Sequence, residues 1–258
     1  MNKTVTTFLF LISTSFCFGQ HNKILSKKNS FQLDLGLNQL KEENLHPKVH
    51  SGFIYGLSYT NLRTSLHQKR FRFGIQFSRL KTKYESTNAS MNIQLNIGYS
   101  YLFEMVAKNK FTFSFGPELV LHYNLSHYPN WDESHLYWSD HLVLGVQNKL
   151  KYQLNNDQQI TLDFTLPFVS VISRPDLNRM YKIDDISLGG VIKSMHSNLE
   201  GSLCSQSLAI TSRLEYHFKS SNRVSQAICY SFNYSKILVN EGAPFQNVQH
   251  LLGLKLSF

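Results

Sequence analysis

Polar and apolar residues alternate along most of this chain. Met91, Ile93, Leu95, Ile97, Tyr99, Tyr101 and Phe103 are apolar, while Asn92, Gln94, Asn96, Gly98 and Ser100 between them are polar or small. A two-residue period puts successive side chains on opposite faces of a strand, and thirteen residues of it exceed the usual soluble strand. The pattern returns at Phe111, Phe113, Phe115, Leu119 and Leu121, opposed by Thr112, Ser114, Gly116, Glu118 and His122. It returns again at Ile160–Phe168, at Leu208–Phe218, and finally at Val248, His250, Leu252, Leu254, Leu256 and Phe258. No stretch shows a convincing helical period.

The pattern predicts ten antiparallel strands, at about 30–39, 49–60, 70–84, 90–105, 110–123, 139–154, 158–170, 206–219, 223–237 and 247–258. Residues 106–109, 155–157 and 220–222 read as tight turns rich in Asn, Asp, Ser and Lys. Residues 40–48, 124–138, 171–205 and 238–246 read as long loops, and a further hairpin within 171–205 would make the count twelve. Long loops on one side and short turns on the other are the signature of an antiparallel transmembrane β-barrel. Tyr59, Phe71, Tyr101, Phe103, Phe111, Tyr152, Tyr216, Phe218 and Phe258 fall at the turn-side strand ends, where an interfacial aromatic girdle belongs. A soluble β-sandwich would use shorter strands with turns every 8–12 residues.

The first residues read as a sorting signal. Lys3 supplies a positive start, Phe8-Leu9-Phe10-Leu11-Ile12 an apolar stretch, and Cys17-Phe18-Gly19 a cleavage region before Gln20. The expected division is therefore a signal peptide at 1–19 and a barrel domain at 20–258. Acylation of Cys17 is disfavoured, because Phe16 before it is bulky and position 14 is Thr. No continuous apolar run is long enough for a transmembrane helix. Cys204 and Cys229 remain after cleavage, in a compartment that permits a disulfide, though spacing alone does not fix its geometry.

The final alternating strand, Leu252, Leu254 and Leu256 ending at Phe258, resembles the C-terminal signature of bacterial (Gram-negative) outer-membrane β-barrel proteins. The resemblance implies residence in the outer membrane and recognition of Phe258, Leu256 and Leu254 by the barrel-insertion machinery. It implies no particular activity.

Formal net charge is +9, which calls for an anionic partner. Nucleic acid is excluded for an exported chain without a basic tract or reading motif, which leaves membrane lipid and lipopolysaccharide. Arg79, Lys81 and Lys83 continue the outward parity of Phe71, Phe73, Ile75 and Phe77, so they should emerge just above the apolar band and meet lipopolysaccharide phosphates. The opposite parity assigns Arg72, Lys149, Lys151, Arg213 and Lys255 to the lumen, against Asp34, Glu104, Glu118, Asp163 and Glu215. Five charges of each sign predict a balanced, packed polar interior rather than an open pore, since wide channels need about sixteen strands.

Candidate chemistry gathers near the loop end of strands five and six: His122, His127, His135 and His141, with Asp132, Glu133 and Asp140 among them. Asp140 could orient His141 as a general base, with Glu118 or Asp132 as a second acid. A ten-stranded barrel with such a mouth resembles the omptin outer-membrane proteases in outline, in which case Asp184-Asp185 would supply the second acidic pair. Ser139 and Ser126 lie close in sequence to His141 and His127, but no G-x-S-x-G elbow is present. No H-E-x-x-H or comparable spacing points to a metal, and no cofactor is implied. The reading is a monomeric outer-membrane barrel with a structural or interaction role carried by its external loops. The alternative is an outer-membrane hydrolase, a protease or lipid esterase, at the 118–141 mouth.

Overall fold

The structure, a computed structural model, describes residues 26–43, 46–82, 89–129, 135–175, 187–196, 198–219, 224–238 and 244–258. The proposed signal segment, Lys83, Asp132, Glu133, Asp184 and Asp185 lie outside those residues.

Among the described residues eleven strands occur: β1 (Ser26–Glu42), β2 (His46–Thr64), β3 (Gln68–Thr82), β4 (Ser90–Lys108), β5 (Phe111–Tyr128), β6 (His135–Gln153), β7 (Gln158–Ser173), β8 (Leu199–Leu203), β9 (Ser207–Lys219), β10 (Ser225–Ile237) and β11 (Phe245–Ser257). Each pairs antiparallel with its neighbours. The ring closes where β1 meets β11, from Ser30 opposite Ser257 to Glu42 opposite Phe245. Reciprocal 2.9 Å backbone bonds between Asn29 and Phe258 finish that seam. Every strand but β8, which pairs with β7 alone, has a partner on both sides, so the ring's backbone needs no water, the condition a strand must meet in lipid.

The wall has ten positions, because β8 and β9 share one. Thr165 at the middle of β7 pairs with Thr211 of β9, whereas Val169 to Ser173 pair with β8. Between them residues 204–206 bulge out, held by bonds from Cys204 N to Phe168 O (3.3 Å) and from Gln206 N to Leu203 O (2.9 Å). Among the described residues, the 171–205 connection adds no further position to the wall. It contributes β8 and a short helix, α1 (Leu188–Met195), which the period-two reading did not foresee. Tight turns mark the opposite end. Asn109 sits at φ 51° between β4 and β5, a left-handed conformation that Asn tolerates in a two-residue hairpin.

Alternation sets what lies inside. Along β3 the exposures of Phe71, Phe73, Ile75 and Phe77 fall between 39% and 46%, while Arg70, Gln76, Ser78, Leu80 and Thr82 are buried. Leu33, Leu35, Leu37, Leu252 and Leu254 likewise face outward across the seam. A water-soluble sandwich would hide this row; here the polar row is hidden instead, so the outer face is built for lipid. At the turn end the rings meet: Phe31 with Tyr59 (5.3 Å between centroids), Phe31 with Phe258 (6.0 Å) and Tyr101 with Phe103 (5.0 Å). Phe111 lies opposite Tyr152. The aromatic edge forms where the alternation placed it.

Candidate functional site

The lumen is crossed at several levels by contacts between strands four positions apart around the ring. Nearest the turns, Arg70 of β3 donates to Asp163 of β7 at 2.9 Å. Slightly higher, Glu118 of β5 accepts from Arg72 of β3 and from Thr165 of β7. Glu215 collects Lys255 at 2.9 Å, His217 at 2.8 Å and Arg213 at 3.9 Å. The middle is a mesh of amides and hydroxyls: Gln249 of β11 donates to Gln94 of β4 at 2.6 Å, and Asn92 donates to Asn124 at 2.5 Å and Ser126 at 2.8 Å. At the loop end Leu40, Leu80, Ile172, Ile237 and Phe245 form one buried apolar cluster. Since β3 and β7 stand on opposite sides of the ring, that cluster spans it. Above it Arg174 reaches Glu42 at 2.6 Å and Tyr137 at 3.1 Å, all three buried.

The charge assignment needs two corrections. Arg70 belongs to the interior with Arg72, because residues two apart on a strand share a face. Glu104 is exposed at the turn-side rim, next to the bulge at Glu104 to Val106, and joins no ion pair among the described residues. The Glu42–Arg174 pair was missed altogether. Parity carried past residue 39 does turn Glu42 inward, but Arg174 comes inward only because the register shift between β6 and β7 at Phe168 reverses the parity set by Asp163 and Thr165, and no sequence pattern marks that shift.

Between the ion pairs and the apolar cluster lies a cavity of about 150 Å³, lined in part by His122, His141, Ser139, Asn124 and Gln249. His122 and His141 face each other across β5 and β6. His122 Nδ1 is 2.6 Å from Asn96 Oδ1, and His141 Nε2 is 3.3 Å from Ser139 Oγ. Asp140 does not join them. It shares the opposite face of β6 with Tyr123's row, where Tyr123 Oη meets His196 Nε2 at 2.9 Å and α1 packs on β6. Glu118 is buried and held by Arg72 and Thr165. The geometry thus offers a serine beside an imidazole, without the orienting carboxylate that a triad uses. Ser126 is occupied by Asn92. No group of three metal-ligating side chains occurs among the described residues.

Arg79 and Lys81 are exposed on the outward row immediately above Phe77. Leu254, Leu256 and Phe258 are outward and partly exposed on and beyond β11. Cys204 is exposed and Cys229 faces the lumen, buried; both are free thiols, so they form no disulfide.

The sequence matches no protein-family model and no curated protein. Among solved structures, the fold is similar to the outer membrane protease OmpT from Escherichia coli (TM-score 0.57, 6% identity, covering 93% of this chain and 99% of that one). The translocator domain of the autotransporter NalP from Neisseria meningitidis aligns at a TM-score of 0.44 with 7% identity, over 98% of this chain and 94% of that one. Neisserial surface protein A aligns at 0.35 with 10% identity, over 89% and 97%. The closed ten-position wall, its lipid-facing belt and its aromatic lower edge define an outer-membrane β-barrel protein. The likeness to OmpT, at 6% identity, carries the fold and nothing of the activity.

Proposed function

We propose that this protein is a monomeric, non-conducting barrel whose role is structural or interaction-based and is exerted through its extracellular loops. The observation that supports it is the succession of cross-lumen contacts: Arg70 to Asp163, Gln94 to Gln249, the apolar cluster, and Arg174 to Glu42. A barrel of ten strands is only slightly wider than the eight-stranded kind that side chains fill. Each contact here joins strands from opposite sides of so narrow a tube. Hydrolysis at the mouth fits the arrangement less well, because Asp140 points away from His141, and His141 is itself flanked by the apolar cluster, opposite Ile172 and 6.3 Å from the Phe245 ring.

The outer face belongs to the same proposal. Arg79 and Lys81 sit where outer-leaflet phosphates pass, and lipopolysaccharide is their partner, with Lys83 continuing the row beyond the described residues. The barrel-insertion machinery is the partner of the β11 row that ends at Phe258. Planar-bilayer recording of the purified full chain tests the main reading. Steady conductance should be absent or very small, and large, stable open-channel currents from the unmodified protein would overturn it.

A further inference from the structure

The lumen is not electrically balanced. Among the side chains described, seven inward lysines and arginines occupy the turn-side half, counting Lys28 and Arg70 with the five expected from parity, against the four carboxylates Asp34, Glu118, Asp163 and Glu215. The surplus of three can be located. Arg70, Arg72, Arg213 and Lys255 each have a carboxylate within 4 Å. Lys28, Lys149 and Lys151 have none among the described residues. Lys28 Nζ donates to Ser225 Oγ at 2.7 Å and Lys149 Nζ to Gln68 Oε1 at 3.3 Å, both neutral oxygens.

A neutral acceptor orients an ammonium group without cancelling its charge. Lys255 and Lys151 are the cationic neighbours of Lys28, with Glu215 acting against them; Lys149 stands opposite Asp163, which Arg70 already holds, and has Glu215, Arg70 and Lys255 as further charged neighbours. Like charges gathered in a tube with apolar walls repel one another, and such a tube concentrates their field on any counter-ion that enters. Lys28 stands two residues inside the start of β1, and Lys151 two residues inside the end of β6. Both are half-buried, so the cluster opens toward the periplasm rather than toward the cell exterior.

We propose that this periplasmic vestibule binds a multivalent phosphate-type oxyanion, held by Lys28, Lys149 and Lys151. Such an ion offers several acceptor oxygens to ammonium groups that make no ion pair within 4 Å among the described residues. A monovalent halide lacks both the charge and the number of acceptors, so binding should discriminate against it.

The test is calorimetric titration of the folded full chain in detergent micelles with pyrophosphate and with inorganic phosphate, against chloride at equal ionic strength. Saturable binding of the phosphates and none of chloride is the expected result. Hydrogen bonds to charged groups contribute about 1.5–3 kcal/mol, so the K28Q/K151Q variant should bind at least about tenfold more weakly. K193Q, on α1 at the loop side, should bind unchanged. Should the double variant fail to insert, K151Q alone carries the comparison. Absence of saturable binding, an equal response to chloride, or undiminished affinity in the lysine variants would each overturn the proposal.

Discussion

Arg70 and Asp163 show what a single residue contributes here. Their side chains are 7% and 5% exposed and meet at 2.9 Å across the lumen. Removing Arg70 leaves Asp163 buried with only the longer-range Lys149 opposite it, a loss of up to about 3–5 kcal/mol. Arg70→Met should therefore lower unfolding stability in urea, measured in lipid vesicles, by about that amount. Adding Asp163→Asn should recover a good part of it, and a double variant as unstable as the single would argue against the pair. His141 gives the opposite expectation. With no carboxylate to orient it, His141→Ala should leave barrel levels and hydrolysis of external peptides or lipid esters unchanged. A clean loss of hydrolysis in a correctly inserted variant would put the hydrolase reading first. Much of the interior was legible at this scale, since parity alone turned Arg72, Glu118, Asp163, Glu215 and Lys255 inward. Arg70 obeyed the same rule and was passed over, and the direction of Asp140 was hidden by its place beside His141. Neighbours in a strand face opposite ways, so adjacency argues against such a partnership rather than for it.

Strands were readable nearly everywhere, because lipid and lumen impose opposite solvents on alternate residues. The differences lie at both ends: toward the loops β1 runs on to Glu42, β5 to Tyr128 and β7 to Ser173, and toward the turns β1 starts at Ser26, β2 runs on to Thr64 and β4 to Lys108. Beyond the lipid the outer row no longer needs to be apolar, so alternation fades while hydrogen bonding continues. α1 escaped for another reason. Gly189 and Gly190 weaken its helical propensity, and eight residues carry barely two turns of periodicity. β8 spans five residues and gains its place only by docking on β7 beyond the reach of β9. Two expectations belong to elements. Deleting Phe258 or replacing it with Asp should impair assembly while leaving export intact, read as the folded fraction in the outer membrane; unchanged levels would count against recognition of the β11 row. Replacing Arg79 and Lys81 together with Gln should reduce the lipopolysaccharide that co-purifies with the barrel while its folded yield stays the same. Equal amounts in the variant would remove those side chains from the proposal.

For the molecule as a whole, length is the informative quantity. The ring strands run from 13 to 19 residues. At about 3.3 Å per residue and a tilt of about 40°, a strand of seventeen residues such as β1 rises about 43 Å, against an apolar band of about 25 Å. The wall therefore continues well beyond the lipid, and the loop-end contacts from Leu40 to Arg174 lie in that extension. Hydrogen exchange in lipid vesicles should find the amides there, between β5 and β6 for instance, nearly as protected as those in the membrane. Rapid exchange above the band would mean that the wall frays outside lipid.

The seam between β1 and β11 makes the barrel a circle in which the point of opening is arbitrary. Asn29 and Phe258 exchange backbone bonds as any two wall neighbours do. A gene rearranged to join those ends through a short linker, and reopened within 239–243, would encode the same set of pairings in a different order. Such a permutant would finish on β10 rather than β11, which separates two requirements that the natural order combines. Whether the finished ring is stable depends on the pairings, which are kept, whereas under the proposed recognition of the β11 row its delivery would depend on which strand is made last.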